Sequence, residues 1–211
     1  MANTLFHLQV PPPAAIPYII RECFFESLDG LAVFKTGSGN VSLDIAKADF
    51  STGLTIGSVA SIQERLQYAP FVLTWDKFRG FKARFRIDVS SDAGSVLKVV
   101  TGIASEPDRF VGFRFKNAGI YGVASNGGAI SEVALEIGKN PGWTITKLLE
   151  ANLYPGNKAQ FFIDGALLGE IFTNLPTGTT SADTLLNIWL NNSVAVSHTL
   201  NISYFKAWQE A

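Results

Sequence analysis

From about residue 24 to the carboxyl end, short runs of alternating apolar and polar residues follow one another with turn residues between them. That rhythm restricts the chain to an antiparallel β architecture, because no helical period of useful length interrupts it. In FKARFRIDV, Phe81, Ala83, Phe85, Ile87 and Val89 fall on one face of an extended strand, while Lys82, Arg84, Arg86 and Asp88 fall on the other. The runs VLKVVTG, RFVGFRFK, GIYGVAS, AISEVALEIG, WTITKLLEA, AQFFIDG, ALLGEIF, TLLNIWLNN and HTLNISYFKAW continue the series. Between them stand Ser91-Asp92-Ala93-Gly94, Asn126-Gly127-Gly128, Asn140-Pro141-Gly142 and Tyr154-Pro155-Gly156-Asn157, residues suited to turns.

FFIDGALLGEIFTNLP gives the sharpest local prediction. Asp164-Gly165 supplies the positive φ angles of a tight hairpin turn, and Phe161, Ile163, Leu167, Leu168 and Ile171 suit a buried pleated face. Asn174-Leu175-Pro176 then ends the second strand, since proline lacks the amide hydrogen that a ladder requires. VASIQERLQYA fits either a single helical turn or one more strand.

With 47% hydrophobic residues in a chain of 211, a single large core is within reach. A net charge of -1, with charged residues only 17% of the total, removes the electrostatic grounds for a nucleic-acid or anionic-membrane partner. Cys23 is the only cysteine, so intrachain disulfides and thiolate zinc sites are excluded. The amino terminus is apolar, but it has no Lys or Arg before Arg21 and is broken by Pro11, Pro12, Pro13 and Pro17. It reads as neither a signal peptide nor a membrane span, and the chain is expected to be soluble. The division that follows is an extended apolar and proline-rich arm over residues 1–21 and one sandwich domain over residues 22–211.

The order of FFESLDGLAVFKTGSGNVSLDIAKADFSTGLTIGSVASIQERL, FKARFRIDV, FVGFRF, GIYGVAS, AQFFIDGALLGEIFTNLP and ISYFKAW resembles the concanavalin A-like lectin/glucanase jelly roll, particularly the versions found in bacteriophage structural proteins. The resemblance spans roughly residues 24–208. It implies an all-β, antiparallel sandwich whose first and last strands are neighbours, bringing Phe24 close to Tyr204. It also implies a place in a virion.

Three functions compete on this scaffold. Glucanases of the resembled family carry paired acidic residues along one strand, and Glu132 and Glu136 in SEVALEIG come nearest, with Ala134 where the family pattern has an aspartate. Four residues of one strand separate such carboxylates by about 13 Å, whereas glycosidases need about 5–9.5 Å. No catalytic residue is assigned on this ground, and the expectation is that the chain is not an enzyme. The histidines are His7 and His198, and Asp44, Asp49, Asp88 and Asp92 have no calcium-loop spacing, so neither metal nor cofactor is expected.

A glycan-binding surface has a definite sequence feature behind it. In TLLNIWLNN, Leu186, Ile188 and Leu190 alternate with Asn187, Trp189 and Asn191, which sets an aromatic platform between two amides on one face. Sugars stack their apolar faces on tryptophan and bond amides through their hydroxyls. Trp143 and Tyr154, beside Pro-Gly turns, are further candidates. A structural role rests on the arm: Leu5, Phe6, Leu8, Val10, Ile16, Tyr18, Ile19 and Ile20 are too apolar for a solvated tail. They would lie along a neighbouring subunit or form an extra edge strand of their own sandwich. The reading placed first is a non-enzymatic structural protein of a phage particle, on capsid or tail, self-assembling as a homo-oligomer. The alternative is a carbohydrate-binding module.

Overall fold

The computed structural model describes residues 18–24, 31–36, 40–44, 53–58, 63–68, 74–88, 96–102, 109–116, 119–137, 147–178, 186–191 and 198–211. Among them lie fifteen strands and no helix: β1 Tyr18–Phe24, β2 Leu31–Thr36, β3 Asn40–Asp44, β4 Gly53–Ser58, β5 Gln63–Tyr68, β6 Phe78–Asp88, β7 Val96–Gly102, β8 Arg109–Lys116, β9 Gly119–Asn126, β10 Ile130–Glu136, β11 Lys147–Tyr154, β12 Lys158–Ile163, β13 Ala166–Ile171, β14 Leu186–Asn191 and β15 His198–Glu210. The Gln63–Tyr68 part of VASIQERLQYA is therefore a strand.

All pairings are antiparallel, in two sheets. An eight-stranded sheet runs β13-β12-β11-β6-β15-β4-β3, with β1 also paired to β15, and a seven-stranded sheet runs β10-β9-β8-β7-β14-β5-β2. The long β15 serves two neighbours on one side: its first half pairs with β4, its second with β1. Phe24 stands opposite Tyr204, as the jelly-roll resemblance implied. Tyr18, Ile19 and Ile20 of the apolar arm belong to β1 and pair with Glu210, Gln209 and Trp208. Leu5, Phe6, Leu8, Val10 and Ile16 lie outside the described residues.

The core forms where large and small residues alternate across strands. In the eight-stranded sheet one row reads Gly169, Phe161, Ala151, Phe81, Ala207 from β13 to β15. From the other sheet, Phe113 inserts between the two phenylalanines, edge-on to Phe81 at 6.0 Å and to Phe161 at 5.6 Å. Phe205 stacks on Phe81 at 5.8 Å. Gly122 completes this packing, because a Cβ there would stand 2.5 Å from the Phe161 ring.

The predicted hairpin is present, with φ of 51° at Asp164 and 84° at Gly165. Its second strand departs from the expected face. Phe161, Ile163 and Ile171 are buried, but Leu167 and Leu168 are 47% and 40% exposed. The reason is a register shift opposite Phe161/Phe162: Gly169 pairs with Phe161 and Leu167 with Phe162, leaving Leu168 as the extra residue. A bulge of this kind interrupts the alternation and breaks the rule that i, i+2 and i+4 share a face.

Candidate functional site

The outer face of the seven-stranded sheet is defined by its register. Val133, Gly122, Phe113, Val99, Ile188, Leu66 and Val33 form one cross-strand row, and Phe113 marks it as the core side. The adjacent row, on the opposite face, reads Ala134, Tyr121, Arg114, Lys98, Trp189, Arg65 and Phe34. Asn187 and Asn191 lie one step to either side of Trp189 on that face, opposite Gln67 and Gln63 of β5.

The part of this face nearest β10 is a charged lattice. Glu132 receives Arg114 through Nη1 at 3.1 Å and Lys116 through Nζ at 2.7 Å, one to each carboxylate oxygen. Lys116 Nζ also stands 4.9 Å from the centre of the Tyr121 ring. The two ion pairs hold Arg114 and Lys116 of β8 to the same carboxylate on β10, across the intervening β9. Further along, Phe110 and Val123 are fully buried with Ile130 packed against them. The following turn is closed by Asn126, whose Oδ1 accepts from the amides of Gly128 and Ala129.

Glu132 and Glu136 do not share a face. A register shift between Ala134 and Glu136 sets Glu132 opposite Val123 and Glu136 opposite Ile120, so their parity differs. Glu136 instead accepts from Lys147 Nζ at 3.1 Å, linking β10 of one sheet to β11 of the other. The two carboxylates are thus engaged separately, and the distance argument built on an unbroken strand does not apply to them.

The sequence-predicted residues fall into two places. Asn187, Trp189 and Asn191 share β14, whereas Tyr154 ends β11 in the other sheet, exposed, with Lys158 Nζ 5.7 Å from its ring centre. Trp143 lies outside the described residues. The partners that sequence reading missed are Arg114, Lys116 and Tyr121, while Glu132 stood out in the sequence only as half of a carboxylate pair. Their alternation within single strands was visible, but which strands are neighbours is a long-range property that no local pattern carries.

No protein-family model matches the chain, and no curated protein matches it in sequence. Solved structures do. The Bacillus licheniformis β-glucanase superimposes with a TM-score of 0.60 at 12% identity, covering 90% of this chain and 97% of that one. A carbohydrate esterase from the Shiga toxin-encoding bacteriophage phi24B gives 0.58 at 13%, covering 87% and 92%. The fold is the concanavalin A-like jelly roll. The binding domain of botulinum neurotoxin DC, in complex with SialylT, matches at 0.59 and 13%, with 86% of this chain covering 43% of that one.

The jelly-roll matches bear on two expectations. That the chain is not an enzyme gives way, because the scaffold it shares is that of a glucanase and a carbohydrate esterase. The virion structural role finds no confirmation in these matches, which include a glucanase, a phage carbohydrate esterase and a toxin binding domain. At these identities the likeness carries the fold alone, and function must be argued from the face itself. Among the described residues no helix is long and apolar enough to cross a membrane.

Proposed function

We propose that this protein binds carbohydrate on the outer face of its seven-stranded sheet, around Trp189. The observation that carries the reading is the cross-strand row Tyr121–Arg114–Lys98–Trp189–Arg65, with Asn187 and Asn191 a step to either side. Aromatic residues provide stacking surface, amides donate and accept with sugar hydroxyls, and guanidinium and ammonium groups donate to hydroxyl or carboxylate oxygens. Glu132 fixes Arg114 and Lys116 through direct ion pairs, so less side-chain freedom is lost when a ligand arrives. The row carries Arg65, Lys98 and Arg114, which favours a glycan bearing a carboxylate over a neutral one. A toxin binding domain of the same fold, solved in complex with SialylT, supports the same direction.

A glycan array followed by titration of the strongest ligand tests this. Trp189→Ala should weaken binding about tenfold or more, the loss expected when a stacking platform and its water-excluding contact go together. Binding that is unchanged in a folded Trp189→Ala protein sinks the proposal. A phage setting has the phi24B esterase in its favour. It is compatible with glycan binding, since a phage protein of this kind would meet sugars at a host surface.

A further inference from the structure

We propose a second carbohydrate site, on the outer face of the eight-stranded sheet, built around Trp208 and selective for neutral oligosaccharides. It does not depend on the Trp189 face and lies on the opposite side of the sandwich.

The site begins with an exception in β15. Phe205, Ala207 and Gln209 are buried, so Tyr204, Lys206 and Trp208 fall on the outer side, and Trp208 is part-exposed there. An indole on an outward position needs something to lie on, and Gly80 provides it. A Cβ at Gly80 would stand 2.8 Å from Trp208 Cζ2, 2.8 Å from Asn152 Oδ1 and 2.5 Å from the Ala151 carbonyl oxygen. With φ of 155°, the position also disfavours any L side chain. Gly80 is therefore the floor on which Trp208 and Asn152 converge from the two neighbouring strands.

Register extends this floor into a strip. Trp208 of β15, Gly80 of β6, Asn152 of β11, Gln160 of β12 and Glu170 of β13 form one row across five adjacent strands. Four inter-strand steps make it about 19 Å long, enough for several linked sugar rings. It reads platform, gap, amide, amide, carboxylate.

The polar groups are held in place. Asn152 Nδ2 donates to Glu150 Oε1 at 2.9 Å, and Gln160 Nε2 donates to Glu170 Oε1 at 2.8 Å. Each anion of the strip has its own cation: Lys82 at 2.5 Å from Glu150, and Lys158 at 2.8 Å from Glu170. Tyr154, under Lys158, borders the strip. This pairing distinguishes the ligand class. Both carboxylates of the strip are engaged by lysines, so what it presents to a ligand is an aromatic surface and hydroxyl-matching amides. A neutral hexose or pentose chain lying across the strands suits it.

The test titrates the full chain with cellohexaose, laminarihexaose and xylohexaose by calorimetry. Native protein should bind at least one of them, and both Trp208→Ala and the double variant Asn152→Ala with Gln160→Ala should weaken it about tenfold. Trp189→Ala should leave this binding intact, which keeps the two faces distinguishable. The double variant changes only part-exposed side chains, so it decides the matter even if Trp208→Ala unfolds. The proposal is overturned if native protein binds none of the three, if the double variant binds as tightly as native, or if Trp189→Ala alone abolishes binding. It is also overturned if light scattering reveals an oligomer that Trp208→Ala dissociates, because a second copy would then occupy the face.

Discussion

Two glycines show how differently one residue type can be required. Gly122 is needed for space: a methyl group would meet the Phe161 ring at 2.5 Å, inside the phenylalanine cluster that joins the sheets. Gly165 is needed for conformation: its φ is 84°, yet nothing lies within 4 Å of a would-be Cβ. Gly122→Ala should therefore cost about 1–3 kcal/mol through overpacking, and Gly165→Ala about 1–2 kcal/mol through the left-handed backbone alone. Urea midpoints measure both, and the causes separate on a second change. Phe161→Leu should relieve Gly122→Ala and leave Gly165→Ala as it was. Asp164-Gly165 was legible in the sequence because turn chemistry is local. Gly122 was not, because the ring that demands it comes from the opposite sheet.

At the scale of an element, the β12–β13 hairpin combines a regular turn with an irregular strand. Its bulge exposes Leu167 and Leu168, and Phe172 and Ile137, at the ends of the two edge strands, are 61% and 65% exposed. The sandwich is closed beside them, where Val133 and Leu135 of β10 pack over Gly169. The polar side of the hairpin is tied by Glu170, whose carboxyl is held below the usual glutamate range by hydrogen bonds from Lys158 and Gln160. A carboxyl with a folded-state pKa below its unfolded value stabilises the fold at pH above the unfolded value, and that contribution disappears as pH falls through the folded one. Glu170→Gln should therefore flatten the acid limb of a stability-against-pH curve while leaving the slope near neutrality unchanged. Chemical denaturation from pH 7 downward would register this, and an acid limb identical to that of the native chain would show that Glu170 contributes nothing. The same carboxylate ends the Trp208 strip, so neutral-oligosaccharide affinity should weaken over the same range.

The whole molecule is closed by strands far apart in the chain. β1 and β15, the first and last strands among the described residues, are partners, and β15 also runs along β6 for ten register positions. Arg79 and Glu210 add a two-point contact at 2.7 and 2.8 Å near the end of that seam. Removing residues 204–211 would strip β1 of its partner and expose Phe81 and Ala83, so cooperative unfolding should be lost. A sharp thermal transition in the truncated chain would contradict this account. Pairing so distant in sequence also predicts slow folding, because loop closure must precede the contacts that reward it. By itself the sequence determined that the chain is a succession of antiparallel strands, where the Asp164-Gly165 hairpin turns, and which residues of β6 and β14 alternate. These are properties of a few consecutive residues and their φ preferences. The tertiary structure alone decided which strands lie side by side, where bulges reverse the alternation at Leu167 and Glu136, and that Trp208, Gly80 and Asn152 meet. Register and neighbour choice are set by packing between residues far apart in the chain, and a one-residue slip exchanges the two faces of a sheet.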